Sequence, residues 1–348
     1  MIADRIEAKW IDTFDHLFEL CRVARDEDVA ILSETQSRPL NVHLAELALL
    51  RRGARPFHVV MPTPRQTANV PVRSTGASAA IQGHAGALAA LCSVGAVIDL
   101  TVEGLMHAAE TPQILKSGAR IINISNEHPE ALERLLPDEA LKERTNEARK
   151  RLKAASEMRV TSKAGTDLRI SLDGATVAGV FGYTDRPGTL SHFPGGLVLA
   201  FPKEKSVNGR LVLDRGDINL TFKRYLESQV SLTIEDDYIS AIDGSGTDAE
   251  LTRRYFAAWG DRNAYATSHV GYGLNERARY EALAMYDLRD TNGTELRAFA
   301  GNFLYSTGAN EFAGRYTLGH FDIPVAGCTV TLDGVEVVRD GELLAEAG

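Results

Sequence analysis

The sequence has 348 residues, of which 44% are hydrophobic and 24% charged, and its net charge is -9. This length exceeds the size at which a single hydrophobic core stops growing, so we expect two domains. The acidic balance argues against a nucleic-acid groove, and no apolar run is long enough to cross a membrane. The N-terminal residues show no export signal and the three cysteines have no disulfide or metal-ligand spacing, so we expect a cytoplasmic protein.

The first half of the chain alternates helical patterns with short apolar runs. It opens with an amphipathic helix whose apolar face is formed by Ile6, Trp10, Phe14, Leu17, Phe18 and Cys21. Four apolar runs follow, which we predict to be buried strands, at residues 29–32, 57–61, 96–100 and 120–124. Helical patterns lie between them, at residues 40–52, 77–93 and 103–117. Because buried strands that alternate with helices form crossover units, this half is predicted to be a parallel α/β sheet.

The domain boundary is predicted from a change of sequence pattern near residue 156. Residues 129–156 are rich in Ala, Leu, Glu, Lys and Arg, which indicates a helical connection that leaves the first domain. We therefore expect an N-terminal α/β domain at residues 1–156 and a C-terminal β-rich domain at residues 157–348. No G-x-G-x-x-G follows the first strand and no Walker loop is present, so we expect no nucleotide.

The second half has the alternating pattern of antiparallel sheet. One hairpin is predicted from residues 159–161 and 168–172, and another from residues 329–332 and 335–338 around the turn Asp333-Gly334. One helix is expected to interrupt the strands. It begins at Thr247, with Glu250 as the partner in a capping box, and continues to Trp259.

A histidine and an aspartate near the end of the chain are the first candidate metal ligands. His320 and Asp322 are two residues apart on an extended segment, so their side chains point to the same side and can reach one ion. A third ligand is needed. His107, His192 and His269 are the remaining candidates for chemistry, and His269 precedes alternating glycines that let backbone approach a site closely. The other histidines are interpreted as structural: His16, His43, His58, His84 and His128.

Several motifs of the second half resemble the thermophilic metallo-aminopeptidases of the aminopeptidase T type. They are residues 193–202 with 206–209, the Gly-x-Gly-x-Asn at Gly271, and His320-x-Asp322. The resemblance covers residues from about 160 to 325 and implies an α/β domain followed by a mostly antiparallel metal-binding domain. On these motifs, metal-binding residues of that family match Leu197, His269 and Leu304 here. A two-metal site needs several carboxylates, so a dinuclear hydrolase is not expected.

The donors that remain are two imidazoles and one carboxylate, from His269, His320 and Asp322. Non-haem ferrous oxygenases use this combination on one face of the ion. Together with the peptidase-like motifs, it resembles the 2,5-dihydroxypyridine 5,6-dioxygenase family of bacterial nicotinic acid breakdown. The resemblance implies ferrous iron held by these three residues, and cleavage of 2,5-dihydroxypyridine by dioxygen to N-formylmaleamic acid. It also suggests a closed homo-oligomer.

The substrate hydroxyl needs a base, and histidine titrates in the useful range. We predict His192 or His107 for this role, because both lie on expected loops beside a cleft between the domains. A solvated histidine at a helix end is an equally open interpretation of His107. Tyr305 and Ser306 are close in sequence to the metal strand and are expected to line the substrate pocket.

Two hypotheses from other classes stay open on the sequence alone. A metallo-aminopeptidase would assemble its site from other acids, for example Glu204 or Glu235, and would use zinc or cobalt. A non-catalytic homologue would keep the fold and hold no stoichiometric metal. One iron, two zinc-like ions or no metal in the purified protein would separate the three hypotheses.

Overall fold

The computed structural model describes residues 5–70 and 77–345, so most of the N-terminal segment in which no export signal is expected lies outside the described residues. In the first half the helices are α1 (Ala8–Leu20), α2 (Pro39–Arg52), α3 (Ala85–Cys92), α4 (Thr111–Lys116), α5 (Pro129–Arg134) and α6 (Glu139–Ala154). The strands are β1 (Asp28–Glu34), β2 (Arg55–Met61), β3 (Ala96–Leu100) and β4 (Arg120–Ile124). All four predicted strands are present at these positions.

The second half is built mainly of strands. They are β5 (Glu157–Ser162), β6 (Asp167–Ser171), β7 (Thr176–Val180), β8 (Leu190–Phe193), β9 (Leu197–Phe201), β10 (Val207–Leu213), β11 (Ile218–Asn219), β12 (Arg224–Tyr225), β13 (Val230–Glu235), β14 (Tyr238–Asp243), β15 (Thr267–Gly273), β16 (Phe303–Asn310), β17 (Arg315–Val325), β18 (Cys328–Leu332), β19 (Val335–Arg339) and β20 (Glu342–Leu343). The helices are α7 (Thr247–Trp259), α8 (Ala282–Met285) and α9 (Thr294–Ala298). Short 3-10 turns occupy Arg262–Tyr265, Leu288–Asp290 and Glu311–Ala313.

A five-stranded parallel sheet organises the first half, in the order β2-β1-β3-β4-β8. Its fifth strand, β8, comes from the second half of the chain and pairs with β4 from Ile121 to Ile124. This strand was not predicted, because four residues before a proline are too short to show a period. The sheet therefore extends past residue 156, and the domain boundary placed there stays a prediction.

One predicted buried strand lies at the edge of the sheet. Among the described residues, β2 pairs with β1 alone, and its side chains are largely exposed, including Phe57 and Val60. The prediction that residues 57–61 form a buried strand is therefore wrong in its burial, although the strand itself is present. A continuous apolar run does not distinguish a central strand from an apolar edge.

Three helical predictions were too long. The pattern at 77–93 forms a helix only at α3, and the pattern at 103–117 only at α4. In the second case the Asp99 carboxylate accepts hydrogen bonds from the backbone N–H groups of Thr101 and Leu105, which hold the chain in a loop. Gly104 has a φ of 82° in that loop, which a helix does not allow. Residues 129–156 form two helices, α5 and α6, rather than one.

Two antiparallel sheets form most of the second half. One has the order β14-β13-β10-β6-β5-β18-β19-β20 and contains both predicted hairpins, β5 with β6 and β18 with β19. The other has the order β17-β16-β15-β9-β7, and its apolar face packs with that of the first sheet and with α7. This arrangement confirms the predicted fold class, a parallel α/β region followed by a mostly antiparallel, β-rich region.

The helix α7 has the predicted bounds, but the capping box is wrong. Gly246 is the residue that precedes the first turn, and no side chain caps that end. Asp248 instead points away from the helix axis, and its carboxylate accepts hydrogen bonds from the backbone N–H groups of Glu227 and Ser228. Within the described residues, no helix is long and apolar enough to cross a membrane.

Candidate metal centre and active site

A cavity of about 260 Å³ lies where the parallel sheet meets the sheet that carries β15 to β17. The loop after β3 contributes Glu103 and His107 to its wall, and the end of β4 contributes Asn123. Ligands of parallel α/β sheets usually bind at the carboxyl ends of the strands. The cavity therefore occupies the position that the sequence predicted for a cleft overhung by His107.

His269, His320 and Asp322 come together at this cavity, and all three are buried. Asp322 Oδ1 lies 3.5 Å from His269 Nε2 and 3.2 Å from His320 Nε2. Strand register explains the convergence: His269 pairs with Ser306 on the central strand β16, and Ser306 pairs with Asp322 on β17. Because serine is small, the longer side chains on either side of it can meet above β16.

A β-bulge sets the orientation of His269. The pairing of β15 with β16 shifts register between Thr267 and His269, so Ser268 is the unpaired residue. Ser268 Oγ donates to the backbone oxygen of Ala309 and accepts a hydrogen bond from His269 Nδ1 at 3.1 Å. The proton of His269 is therefore on Nδ1, which leaves the Nε2 lone pair facing Asp322.

The charges around the three residues favour a carboxylate beside a neutral imidazole. Burial alone would raise the pKa of Asp322, but His320 and Arg297 hold it well below its usual range. Ser306 Oγ donates to Asp322 Oδ1, and Arg297 Nε donates to Asp322 Oδ2. Burial lowers the pKa of His269, so this imidazole is neutral at pH 7.

This donor set fits one divalent transition-metal ion. Ligand atoms on one face of an octahedral ion with bonds of about 2.1 Å lie about 3 Å apart, close to the 3.2 and 3.5 Å separations from Asp322 Oδ1. Metal ligands must be unprotonated, as the surroundings of Asp322 and His269 favour. His320 Nδ1, the nitrogen that does not face Asp322, is buried and has no hydrogen-bond partner among the described residues, so a water molecule would satisfy it. The role of the three residues as ligands stays a prediction.

His192, the first predicted base, lies in the cavity wall, but on the strand β8, so the prediction that it lies on a loop is wrong. Its Nδ1 donates to the backbone oxygen of Pro194 at 2.7 Å, so Nε2 carries the lone pair. Burial lowers the pKa of His192 to about 4, which keeps the imidazole neutral at pH 7. The side chain can therefore accept a hydrogen bond at Nε2, but its pKa lies below the range expected of a general base at pH 7.

His107, the second predicted base, lies in the loop between β3 and α4 rather than at a helix end. Its ring is 5.5 Å from that of His320 between centroids, and its Nδ1 is 3.4 Å from Glu311 Oε1. Only 13% of the His107 side chain is exposed, so it is not a solvated surface histidine. Glu311 occupies the Nδ1 side, which leaves Nε2 as the second nitrogen for a ligand.

An apolar wall faces these polar groups. Leu197 and Leu199 on β9, Phe201 at its end and Leu304 on β16 pack together and line the cavity. Phe201 also contacts the ring of His269, with centroids 5.3 Å apart. Leu197 and Leu304 are positions where the aminopeptidase resemblance expected metal ligands. They give the cavity a surface suited to the flat face of a ring instead of a second ion.

The structure places several residues differently from the sequence expectations about the site. The prediction that Tyr305 lines the pocket is wrong, because its side chain is fully buried in the core and its hydroxyl bonds Thr267 Oγ1 at 2.9 Å. Ser306, the next residue on the strand, points to the other face and contacts Asp322, but it is fully buried and does not itself line the cavity. Glu204 and Glu235, the acids considered for a peptidase site, are exposed and outside this cavity.

Sequence reasoning missed three polar residues of the site: Ser268, Arg297 and Glu311. Arg297 and Glu311 reach their partners through tertiary structure, since Arg297 is 25 residues from Asp322 and Glu311 is far along the chain from His107. No local motif marks them. The sequence offered one indication, the position of Ser268 directly before the candidate ligand His269. In a regular strand, however, neighbouring side chains point to opposite faces, so a contact between Ser268 and His269 is not expected without the bulge.

Comparison with known proteins identifies the family of the chain. Residues 9–345 match the family model of 2,5-dihydroxypyridine 5,6-dioxygenase (NicX). The chain is 38% identical over 343 residues, 97% of each sequence, to the 2,5-dihydroxypyridine 5,6-dioxygenase of Pseudomonas putida KT2440. The solved structure of that organism's 2,5-dihydroxypyridine dioxygenase superposes with a TM-score of 0.92 at 38% identity, covering 99% of this chain and 100% of the other.

A more distant solved structure shows the fold alone. Wild-type AmpT from Thermus thermophilus, an aminopeptidase, superposes with a TM-score of 0.63 at 14% identity, covering 97% of this chain and 100% of the other. The architecture is thus shared with an aminopeptidase, whereas the sequence similarity over nearly the whole chain is to ring-cleaving dioxygenases. The chain belongs to the 2,5-dihydroxypyridine 5,6-dioxygenase family.

Proposed function

We propose that this chain is a ferrous-iron dioxygenase that cleaves 2,5-dihydroxypyridine with dioxygen to N-formylmaleamic acid. His269, His320 and Asp322 hold the ion in this proposal. The observation that carries it is their convergence across three strands, with donor atoms 3.2 and 3.5 Å from Asp322 Oδ1, beside an apolar wall. Membership of the dioxygenase family supports the same reaction.

The proposed reaction balances without a further reductant. The bond between C5 and C6 of the ring breaks, C5 becomes the carboxyl carbon and C6 the formyl carbon, and both atoms of dioxygen enter the product. Ferrous iron, when bound, supplies the unpaired electrons through which dioxygen can react with a closed-shell ring. The protein supplies position, proton transfer and a site from which bulk water is excluded.

The residues around the cavity divide these tasks. His192 Nε2 carries a lone pair and accepts a hydrogen bond from a substrate hydroxyl, since a pKa of about 4 makes this imidazole a weak base at pH 7. His107, held at Nδ1 by Glu311, presents its other nitrogen beside His320 and hydrogen-bonds the ring substituent. Leu197, together with the other leucines of the apolar wall, packs on the face of the ring and excludes water.

Oxygen uptake by reconstituted protein tests the proposal. Protein loaded with ferrous iron without air is expected to leave 2,5-dihydroxypyridine unchanged until oxygen is admitted. It should then consume one dioxygen per ring as the absorbance of the ring disappears. Zinc should not replace iron, because a closed-shell ion cannot pass electrons between ring and dioxygen.

Leucyl anilides are the matched control for the shared fold. They should stay intact with iron, zinc or cobalt, because Leu197 and Leu304 stand where carboxylates or imidazoles would hold a second ion. Zinc-dependent cleavage of the anilide without oxygen uptake on the hydroxypyridine would assign the chain to the aminopeptidases. Protein that neither retains iron nor consumes oxygen would instead be a non-catalytic homologue.

We also infer a cytoplasmic location and a homo-oligomer. All three cysteines are free, which suits a reducing compartment. The edge strand β2 exposes Phe57 and Val60, and the neighbouring helix α2 exposes Leu50, so an apolar surface is available to a second copy. Light scattering on the purified protein should give a mass above 37.8 kDa, the mass of one chain. A mass of one chain would remove the oligomer from the proposal.

A further inference from the structure

Arg297 lies beside the candidate metal ligands, and the proposed function assigns it no role. Arg297 is on the short helix α9, lines the cavity, and has 15% of its side chain exposed. Its Nε donates to Asp322 Oδ2, the carboxylate oxygen that does not face the two histidines. One edge of the guanidinium is therefore fixed in position.

The terminal nitrogens of this guanidinium are free to bind a ligand. Within residues 5–70 and 77–345, neither Nη group of Arg297 has a hydrogen-bond or ion-pair partner beyond the Nε contact. The two Nη atoms are also not fully buried, because they are absent from the buried polar atoms that have no hydrogen-bond partner. They therefore carry no penalty for an unsatisfied buried group. Donors that are unpaired in a cavity wall are available to whatever enters the cavity.

The other cations of the cavity are less suited to this role. Lys223 donates its Nζ to the backbone oxygen of Leu288 at 2.8 Å. Arg289 is exposed at the mouth of the cavity, in contact with solvent. Arg297 alone among these three combines burial, a fixed orientation and direct contact with the candidate metal ligand Asp322.

The backbone around Arg297 also holds it rigidly. Asn302 donates from Nδ2 to the backbone oxygens of Arg297 at 2.9 Å and Leu296 at 3.1 Å. At the other end of α9, Gly293 and Thr294 donate their N–H groups to the buried carboxylate of Glu127. A planar fork with five donors that is held in one orientation binds an oxyanion with little loss of side-chain freedom.

We propose that Arg297 is the substrate-binding residue that recognises an anionic oxygen on the pyridine ring. Nε stays on Asp322 Oδ2 while the Nη groups bind the ionised hydroxyl, so the guanidinium links the substrate to the metal-binding carboxylate. The same groups would meet the carboxylate that ring opening creates. This inference deepens the proposed function and rests on it, because it takes a hydroxypyridine as the ligand.

A pair of ligands with the same shape and different charge tests the inference. We would titrate zinc-loaded protein with 6-hydroxynicotinate, a hydroxypyridine that carries a carboxylate, and with the neutral 6-hydroxynicotinamide. The measured quantity is the ratio of the two dissociation constants. Charge-assisted hydrogen bonds of this kind correspond to roughly tenfold or more in affinity. We therefore expect the parent protein to prefer the carboxylate at least tenfold.

Substitution of Arg297 should remove this preference selectively. Arg297→Gln is expected to weaken the carboxylate at least tenfold and to leave the amide within about twofold. Arg297→Lys keeps the charge but not the fork, and should recover part of the ratio. Arg254→Gln, a change of equal charge on the exposed face of α7, should leave the ratio at the parent value. Far-ultraviolet circular dichroism checks that each variant is folded.

Several results would overturn the inference. If the parent protein binds the carboxylate and the amide equally well, the inference is wrong. It is also wrong if Arg297→Gln still prefers the carboxylate, because the metal would then be the source of the preference. Equal weakening of both ligands would reduce Arg297 to a residue that positions Asp322. Oxygen uptake by the parent with iron and 2,5-dihydroxypyridine is measured in parallel. Active parent protein with an unchanged ratio in the variant refutes this inference alone, whereas inactive parent protein refutes the proposed function.

Discussion

Asp322 is the residue on which the candidate site depends most. One of its oxygens contacts both imidazoles and accepts from Ser306, and the other accepts from Arg297. A buried carboxylate with this many partners cannot be removed without leaving several polar groups unpaired. The lowered pKa of Asp322 has the same origin, because these neighbours outweigh the effect of burial.

We expect His269→Ala, His320→Ala and Asp322→Asn each to lower bound iron and to abolish oxygen uptake. The proposed ligand set has no spare member, so loss of one should reduce metal affinity by well over tenfold. Iron per chain after equilibrium dialysis is the measurement. His16→Ala, on the exposed face of α1, is the control and should bind iron as the parent does. Any one variant that retains both iron and normal turnover would remove its residue from the ligand set.

His192 provides a prediction about pH and stability. Burial lowers its pKa from 6.5 to about 4, so the unfolded chain binds more protons between those values and stability falls as the pH drops through that window. Allowing for solvent in the cavity, His192 should lower the free energy of unfolding by about 2 kcal/mol when the pH falls from 6.5 to 4.

His192→Gln removes that titration while keeping a polar side chain of similar length. Urea unfolding of the metal-free variant should therefore show a smaller loss of stability than the parent over the same pH range. His16→Gln, on exposed surface, should behave as the parent. If the loss between pH 6.5 and pH 4 is equal in His192→Gln and the parent, His192 is not held neutral by its surroundings.

At the scale of the elements, strands were predicted better than loops. The apolar runs that became β1, β3 and β4 are fully buried or nearly so, and burial of both faces leaves a pattern that composition alone shows. The length of the helix α4 was not predictable, because the loop before it is held by the Asp99 carboxylate through tertiary hydrogen bonds. Side-chain competition for backbone groups overrides helix propensity in such segments.

The candidate site was predictable only where strand alternation determines it. His320 and Asp322 are two apart on β17, so their shared face follows from the sequence. The meeting of His269 with Asp322 depends on two strand registers through Ser306, which the sequence does not specify. Tyr305 and Ser306 were both expected in the pocket, but neighbouring residues of a strand point to opposite faces, and Tyr305 lies on the core face.

The loop before α9 supplies a prediction about an element that carries the site. Glu127 is buried and accepts hydrogen bonds from the backbone N–H groups of Asn292, Gly293 and Thr294 at 2.8 to 2.9 Å. Glu127→Gln keeps one acceptor oxygen but places the amide N–H group against at least one of these backbone donors, and should cost about 1.5 to 3 kcal/mol of unfolding free energy.

Because α9 carries Arg297, Glu127→Gln should also raise the KM for the hydroxypyridine. Urea unfolding and steady-state kinetics are the measurements. Glu130→Gln, on the exposed side of α5, is the matched control and should change neither quantity. A variant of Glu127 as stable as the parent would show that this carboxylate does not hold the loop.

At the scale of the whole molecule, the two halves of the chain are interlocked. Strand β8 from the second half completes the parallel sheet of the first, as its pairing with β4 shows. Arg134 on α5 forms an ion pair with the buried Glu295 on α9, and Glu127 binds the loop before α9. Removal of either half would leave an unpaired strand edge and unpaired buried charges.

This interlocking predicts that the two halves unfold together, and the chain has two tryptophans with which to observe it. Trp10 on α1 packs in the core of the first half, and Trp259 on α7 packs against the core of the second. In the variants Trp10→Phe and Trp259→Phe, the remaining tryptophan reports on one half. In each variant, the urea midpoint measured by fluorescence should coincide with the midpoint measured by circular dichroism of the same variant. Separate midpoints would mean that residues 1–156 and 157–348 behave as independent folding units.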